Sequence, residues 1–111
     1  MQPPSLEHPV RSVDPDDARR QVTAILASDS FRRSERQSQF LRFICDLTLT
    51  GDAAKINEYL LAHEVFGRGP DYSPGEDSVV RRQAHTLRQK LQDYYAGEGR
   101  NDAVRIDIPV G

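Results

Sequence analysis

The segment from Ser34 to Gly51 constrains the fold most, because it is the most apolar stretch of this 111-residue chain and its apolar side chains recur at helical spacing. Those side chains are Phe40, Leu41, Phe43, Ile44 and Leu47. The four residues SERQ at its start fit an S-x-x-Q capping box, and Gly51 ends the pattern. The sequence therefore predicts a helix that begins after Ser34 and forms the spine of one hydrophobic core.

Segments on either side of this helix predict two more. Asp14 can cap a first turn, and Pro15 suits the first helical position. The core-facing residues that follow are Val22, Ile25 and Leu26. A further helix is predicted over 56–66, which Gly67 ends. Its apolar set consists of Ile56, Tyr59, Leu60 and Val65.

The last part of the chain predicts one long helix and one strand. The linker GRGPDYSPGE contains three Gly and two Pro, which exclude a continuous helix. A helix is expected over 77–95, with Asp77 as its N-cap. Its apolar stripe is Val80, Ala84, Leu87, Leu91 and Tyr94. Residues 104–108 alternate apolar and charged side chains, which is the period of a half-buried strand. One contiguous core is expected from Phe40, Phe43, Ile44, Leu47, Leu60, Leu87 and Leu91.

Length and composition are those of one small globular domain. Residues 1–13 contain three Pro and no apolar period, so we expect a flexible leader followed by the domain over 14–111. No apolar stretch approaches the ~20 residues that span a bilayer, and no secretion signal is present. This indicates a soluble, cytoplasmic domain without membrane contact. The single cysteine, Cys45, is expected to be buried and unreactive.

Basic residues are concentrated in segments 32–42 and 81–90, although the net charge is −2. At about 100° per residue, a polar stripe on the last helix lies roughly a quarter-turn from its apolar stripe. That stripe is Arg81, His85, Arg88 and Gln92, with Arg82 and Gln89 beside it. Arg and Gln side chains pair with base edges, and His donates to phosphates. The alternative for such a face is a merely solvated surface, which is the commoner case for an amphipathic helix.

Several stretches of the chain resemble a known group of domains. SERQSQFLRFICDLTLTGD, INEYLLAHEVFGR and DSVVRRQAHTLRQKLQDYYAGEG, followed by VRIDIPVG, are similar to the N-terminal winged-helix domain of bacterial multidomain regulators. In that group the domain is commonly followed by repeats or a cyclase. VVRRQAHTLRQKL with the terminal strand is more distantly similar to the OmpR-like output domain.

The resemblance implies a mainly α fold, a winged helix-turn-helix of three to four helices with a short C-terminal β wing. It makes 77–95 the recognition helix, 56–66 the helix packed across it and 104–111 the start of the wing. Residues 1–13 offer no candidate for the N-terminal sheet of the OmpR-like domain. We expect the wing to continue beyond Gly111 in a longer parent protein and to leave an unpaired strand edge here.

The function that follows is docking on duplex DNA, as the module of a bacterial transcriptional or signalling regulator. The side chains expected at the DNA are Arg81, Arg82, His85, Arg88, Gln89 and Gln92 from the helix and Arg100 and Arg105 from the wing. Arg88 is expected to reach a base edge and Arg105 to meet phosphate. The alternative is a winged-helix protein-interaction or homodimerisation domain without DNA binding. The pI of about 5.9 and the pair Tyr94 and Tyr95 favour that alternative.

The polar residues do not assemble into a catalytic or metal-binding pattern. His8, His63 and His85 fall on three different predicted elements, without a Cys partner or H-x-x-x-H spacing. The glycines of GRGP neither follow a strand nor lead into a Lys-Ser/Thr helix start, so a phosphate-binding loop is not predicted. We therefore expect no enzyme activity, no catalytic residues, no metal and no cofactor.

Overall fold

The computed structural model describes residues 2–7 and 13–109, and four α-helices and two short strands follow one another in them. They are β1 Ser5–Glu7, α1 Pro15–Ala27, α2 Glu35–Leu49, α3 Glu58–Glu64, α4 Val79–Ala96 and β2 Arg105–Asp107. A 3-10 turn at Ala53–Lys55 precedes α3, which is shorter than the predicted 56–66. The fold is mainly helical, as predicted, with one two-stranded antiparallel sheet.

At the start of three helices, a side-chain oxygen accepts a hydrogen bond from a backbone N–H of the first turn. Asp14 accepts a hydrogen bond from the backbone N–H two residues further on at 2.8 Å, and Pro15 takes the first position of α1, as predicted. Asn57 caps α3 by accepting from the backbone N–H of Leu60, three residues further on, at 2.9 Å. The N-cap residue of α4 is Ser78, which makes no side-chain capping bond, so the prediction of Asp77 as N-cap was one residue early. The Asp77 side chain nevertheless accepts from the N–H of the first residue of α4 at 3.0 Å.

The capping box predicted at Ser34 is not formed. The Ser34 side chain makes no capping hydrogen bond. The Gln37 side chain is buried and donates from Nε2 to Oε1 of Gln83 on α4 at 2.5 Å. The local motif was overridden because α2 and α4 pack together here, and a buried amide needs a partner in the interface.

The N-terminal segment contributes a strand, so the prediction of an unstructured leader was wrong for residues 5–7. Strand β1 pairs antiparallel with β2, and Leu6 lies opposite Ile106. One edge of β2 is therefore paired, where an unpaired edge was expected. Three residues are too few for an alternating pattern to reveal a strand, and the pairing arises only when the two ends of the chain meet. The leader residues 8–12 lie outside the described part.

The alternation predicted for the C-terminal strand is confirmed. Val104, Ile106 and Ile108 are buried, while Arg105 and Asp107 between them are exposed. One face of β2 thus completes the core, and the other carries the charges.

One hydrophobic core joins the four helices of the described residues to the sheet. Phe40, Ile44, Leu87 and Leu91 of the predicted core set are buried, and Phe43 and Leu47 are partly buried at its margin. Leu60 is partly exposed and does not belong to the core, so the prediction was wrong for this residue. Cys45 is buried as predicted, and burial raises the pKa of its thiol to about 12. Among the helices described, none has both the length and the apolar character to cross a bilayer.

Helix α3 is rotated relative to the prediction. Its buried residues are Leu61 and Ala62, while Tyr59 is 55% exposed and Leu60 is partly exposed. Four consecutive apolar residues, YLLA, give a two-turn helix no unique phase. The rotation is set instead by the buried side chains at its ends, Ile56 and Phe66, which belong to the core.

Candidate nucleic-acid interface

Helix α4 is held by apolar side chains along one side. Val80, Ala84, Leu87 and Leu91 are each buried, as the sequence predicted. An 18-residue helix anchored over three turns has a fixed rotation about its axis, so the direction of its polar side chains is fixed as well.

The side of α4 opposite the core, called the outer face here, presents four of the predicted site residues, all of them exposed: Arg82, His85, Gln89 and Gln92. Thr86 and Asp93, which were not predicted as site residues, are exposed on the same face. Arg82 is steadied by a hydrogen bond from its Nε to Oγ of Ser78 at 3.0 Å. These four side chains were all predicted as site residues, and the structure brings them together on one surface.

Arg81 is also exposed, but its donors are engaged within the chain. Its Nη1 donates to Oε2 of Glu58 on α3 at 3.1 Å, and its Nη2 donates to the backbone oxygen of Pro74 at 2.7 Å. Half of the side chain remains accessible. Arg81 therefore links α4 to α3 and to the preceding loop, and Glu58 balances its charge.

Arg88 does not lie on the outer face. Its side chain is partly buried, and its Nε donates to the backbone oxygen of Ile108 at 3.0 Å. Its Nη2 also reaches the backbone oxygen of Pro109 at 3.4 Å. The expectation that Arg88 is exposed was wrong, because the segment after β2 folds back and takes up its donors.

Tyr95 also bonds to the backbone at β2, at residues that precede those contacted by Arg88. Its hydroxyl accepts from the N–H of Ile106 at 2.8 Å and donates to the backbone oxygen of Val104 at 3.1 Å. Gln21 of α1 donates to the same hydroxyl at 3.1 Å. The edge of β2 that faces away from β1 is thus closed by side chains of α4 in place of a third strand.

Tyr94 is buried too, and its hydroxyl donates to Oδ2 of Asp102. The tyrosine pair that favoured a protein-interaction role is therefore part of the core and of its polar rim. The burial of Tyr94 agrees with its place in the predicted apolar stripe, whereas sequence reasoning missed the buried role of Tyr95. The available signal was a Tyr doublet directly before the Gly residues and the strand, since a buried Tyr hydroxyl needs a partner.

Arg105 is the first residue of β2, and Arg100 lies in the turn between α4 and β2. The guanidinium of Arg105 stands 4.7 Å from the centroid of the Tyr95 ring, and the residue is exposed. Arg100 is exposed at the end of α4, where its Nη1 donates to the backbone oxygen of Gly97 at 2.9 Å. Both are accessible cations, but neither belongs to the outer face.

Charge is distributed unevenly along α4. Arg82 lies in its N-terminal half, whereas Asp93, about 20° from Arg82 around the helix, is exposed in the C-terminal half. Before the helix, Arg68 pairs with Asp77 at 2.7 Å, and this hydrogen bond lowers the pKa of the Asp77 carboxyl. Asp71 and Glu76 are exposed in the same loop. The cationic part of the outer face is therefore its N-terminal half.

No three His, Cys, Asp or Glu side chains come together as a metal site within residues 2–7 and 13–109.

Comparisons with protein-family models, curated proteins and solved structures gave no match to this chain.

Proposed function

We propose that this chain is the DNA-binding module of a bacterial transcriptional or signalling regulator, a winged helix-turn-helix in which α4 enters the major groove. The order of elements supports it, because a short helix, a loop, a long helix and a strand follow one another. α3 and α4 are in contact, and the Glu58–Arg81 ion pair joins them.

The observation that carries the proposal is the outer face of α4. Arg82 can pair with a guanine edge or a phosphate, Gln89 with an adenine, and His85 can donate to a phosphate. The side chains lie on a helix whose rotation is fixed by Leu87 and Leu91, so little ordering is needed on binding. In helix-turn-helix proteins the N-terminal residues of the recognition helix contact the bases, and the cationic half of α4 is its N-terminal half.

β2 is proposed as the first strand of the wing. Arg105 is exposed on it, beside the flank of α4 that Arg88 and Tyr95 occupy. A cation there would meet the sugar-phosphate backbone next to the groove and position the domain without selecting a sequence.

Fluorescence anisotropy with a labelled random-sequence DNA duplex tests the proposal, with titrations between about 50 and 200 mM salt. We expect log K to fall linearly with log salt, and Arg82→Ala to lower that slope by about one unit. Arg19→Ala, the same charge change on the exposed surface of α1, is the matched control and should leave the slope unchanged. Binding that does not respond to salt, or an equal effect of both variants, would rule out this use of α4.

A protein-interaction or dimerisation domain is the second candidate, and one observation favours it. Tyr59 on α3 is the exposed large apolar side chain of the described residues, and it makes a T-shaped contact with Tyr72 at 5.9 Å between ring centroids. An exposed aromatic is a typical anchor of a protein interface. Tyr59→Ala would then abolish self-association in analytical ultracentrifugation and leave any DNA affinity unchanged, whereas Arg82→Ala would do the reverse.

A further inference from the structure

The turn between α1 and α2 lies against one flank of α4. Lys90 Nζ donates to the backbone oxygen of Ser30 at 2.9 Å, and Gln37 at the start of α2 donates to Oε1 of Gln83 at 2.5 Å. At about 100° per residue, Gln83 and Lys90 lie on the same side of α4, roughly a quarter-turn from Arg82. Arg88, which holds β2, lies about a third of a turn from Arg82 in the other direction. The turn and β2 therefore flank the outer face on opposite sides.

The turn and the first turn of α2 carry two arginines, Arg33 and Arg36, that no carboxylate of the described residues engages. Arg33 is exposed and makes no hydrogen bond or ion pair within the described residues. Arg36 is exposed as well, and its guanidinium carbon lies 6.0 Å from the centroid of the Phe66 ring. Arg32, in contrast, is paired with Asp29 at 3.0 Å. Arg33 and Arg36, called the arginine flank here, thus have no carboxylate partner within residues 2–7 and 13–109, and Glu35, which is exposed, is the acidic residue between them in the chain.

We propose that the arginine flank binds backbone phosphates of the same duplex whose major groove α4 enters, an inference that rests on the proposed function. A helix with its side chains is about 10 to 12 Å across, which is close to the ~12 Å width of the major groove. A helix in the groove therefore has a phosphate backbone along each flank. β2 with Arg105 faces one backbone, and the arginine flank faces the other.

A carboxylate-rich protein partner is the weaker match for this surface. Phosphates in a duplex are evenly spaced on both sides of the groove, so they can meet cations on both flanks of one helix at the same time. Apart from Glu35, the acidic groups near the turn lie toward the other end of α4, where Glu98 accepts from the N–H of Asp29 at 2.9 Å. The positive end of the flank is thus beside the N-terminal half of α4, which is also the cationic half of the outer face.

The test measures the salt dependence of binding to a labelled random-sequence duplex for the double variant Arg33→Gln with Arg36→Gln. The slope of log K against log salt should fall by about two units, one for each phosphate contact. The control is Arg19→Gln with Arg20→Gln, two exposed arginines of α1 that pair with Asp16 and Asp17. It makes the same change in net charge and should leave the slope as it is. Thermal unfolding checks that both variants fold.

A gain of binding gives a second, independent measurement. Glu35→Gln removes the negative charge between the two arginines and should strengthen binding several-fold, which a misfolded protein could not do. If the arginine flank variant binds like wild type while Arg82→Ala weakens binding, this inference fails and the proposed function stands. If Arg82→Ala also has no effect, the proposed function fails and the inference with it. An equal loss in the Arg19 and Arg20 control would likewise overturn the inference, because the effect would then be one of net charge alone.

Discussion

Two sides of one helix, α4, carry polar side chains of the same kinds and use them differently. On the outer face, Arg82, His85 and Gln89 are exposed to solvent. On the flank toward β2, Arg88 donates to the backbone just after the strand, and the Tyr95 hydroxyl both accepts from and donates to the backbone at the strand. The difference shows that an arginine in a helical polar stripe is available to a ligand only where no strand edge competes for its donors.

A substitution on the buried side of α4, which orients both polar sides of the helix, has the largest expected effect on stability. Leu87 has no exposed surface. Leu87→Ala should lower the free energy of unfolding by about 2 to 5 kcal/mol, the usual cost of truncating a buried Leu. Urea denaturation followed by circular dichroism measures it. A loss below about 1 kcal/mol would mean that Leu87 does not anchor α4, and the comparison of its two polar sides would lose its basis.

Tyr95→Phe tests the side of α4 that faces β2, because it removes only the hydroxyl that bonds to the strand. The variant leaves the N–H of Ile106 and the backbone oxygen of Val104 without their partner in a buried site. We expect a loss of about 1 to 3 kcal/mol in the free energy of unfolding, because unpaired buried polar groups retain their desolvation cost. Gln89→Ala on the outer face is the control and should stay within about 0.5 kcal/mol of wild type. Equal stabilities of the two variants would contradict the closed strand edge.

Arg88→Ala and Arg82→Ala should separate stability from binding. Arg88→Ala removes two hydrogen bonds from a charged donor to the backbone after β2 and should cost about 1 to 2 kcal/mol of unfolding free energy. Arg82→Ala should change stability by less than about 0.5 kcal/mol. DNA affinity, measured at a salt concentration where Arg88→Ala remains folded, should respond to Arg82→Ala more strongly. The opposite ranking in binding would restore Arg88 as a base contact.

Alkaline pH gives the most gradual effect, because it develops over several pH units. Burial raises the pKa of the Tyr95 phenol above its ordinary value of 10.0, and burial raises that of the Cys45 thiol from 9.0 to about 12. The folded state therefore holds protons that the unfolded chain releases, and stability falls as pH rises from about 9 to about 12. Urea midpoints recorded across this range should decrease, and the decrease above pH 10 should be shallower in Tyr95→Phe. A flat midpoint would contradict the burial of both groups.

Local signals were sufficient for most of the secondary structure. The Asp14-Pro15 start, the apolar runs of α2 and α4 and the alternation in β2 predicted elements that the structure contains, because each pattern extends over a whole element. The phase of α3 and strand β1 were not predictable. A two-turn helix with consecutive apolar residues and a strand of three residues carry too little periodicity to specify a face.

The sequence predicted which side chains point outward from α4, but it did not predict which of them are taken up by contacts with other elements. The sequence by itself determined that α4 is amphipathic and that Arg82, His85, Gln89 and Gln92 point away from Leu87 and Leu91, because helical periodicity fixes directions around one axis. Only the tertiary structure decided that Arg88 and Tyr95 bond to the backbone in and next to β2, that Gln37 bonds to Gln83 and that the turn between α1 and α2 lies against α4. These contacts join residues far apart in the chain, and a helical pattern holds no information about which strand or turn will pack beside it.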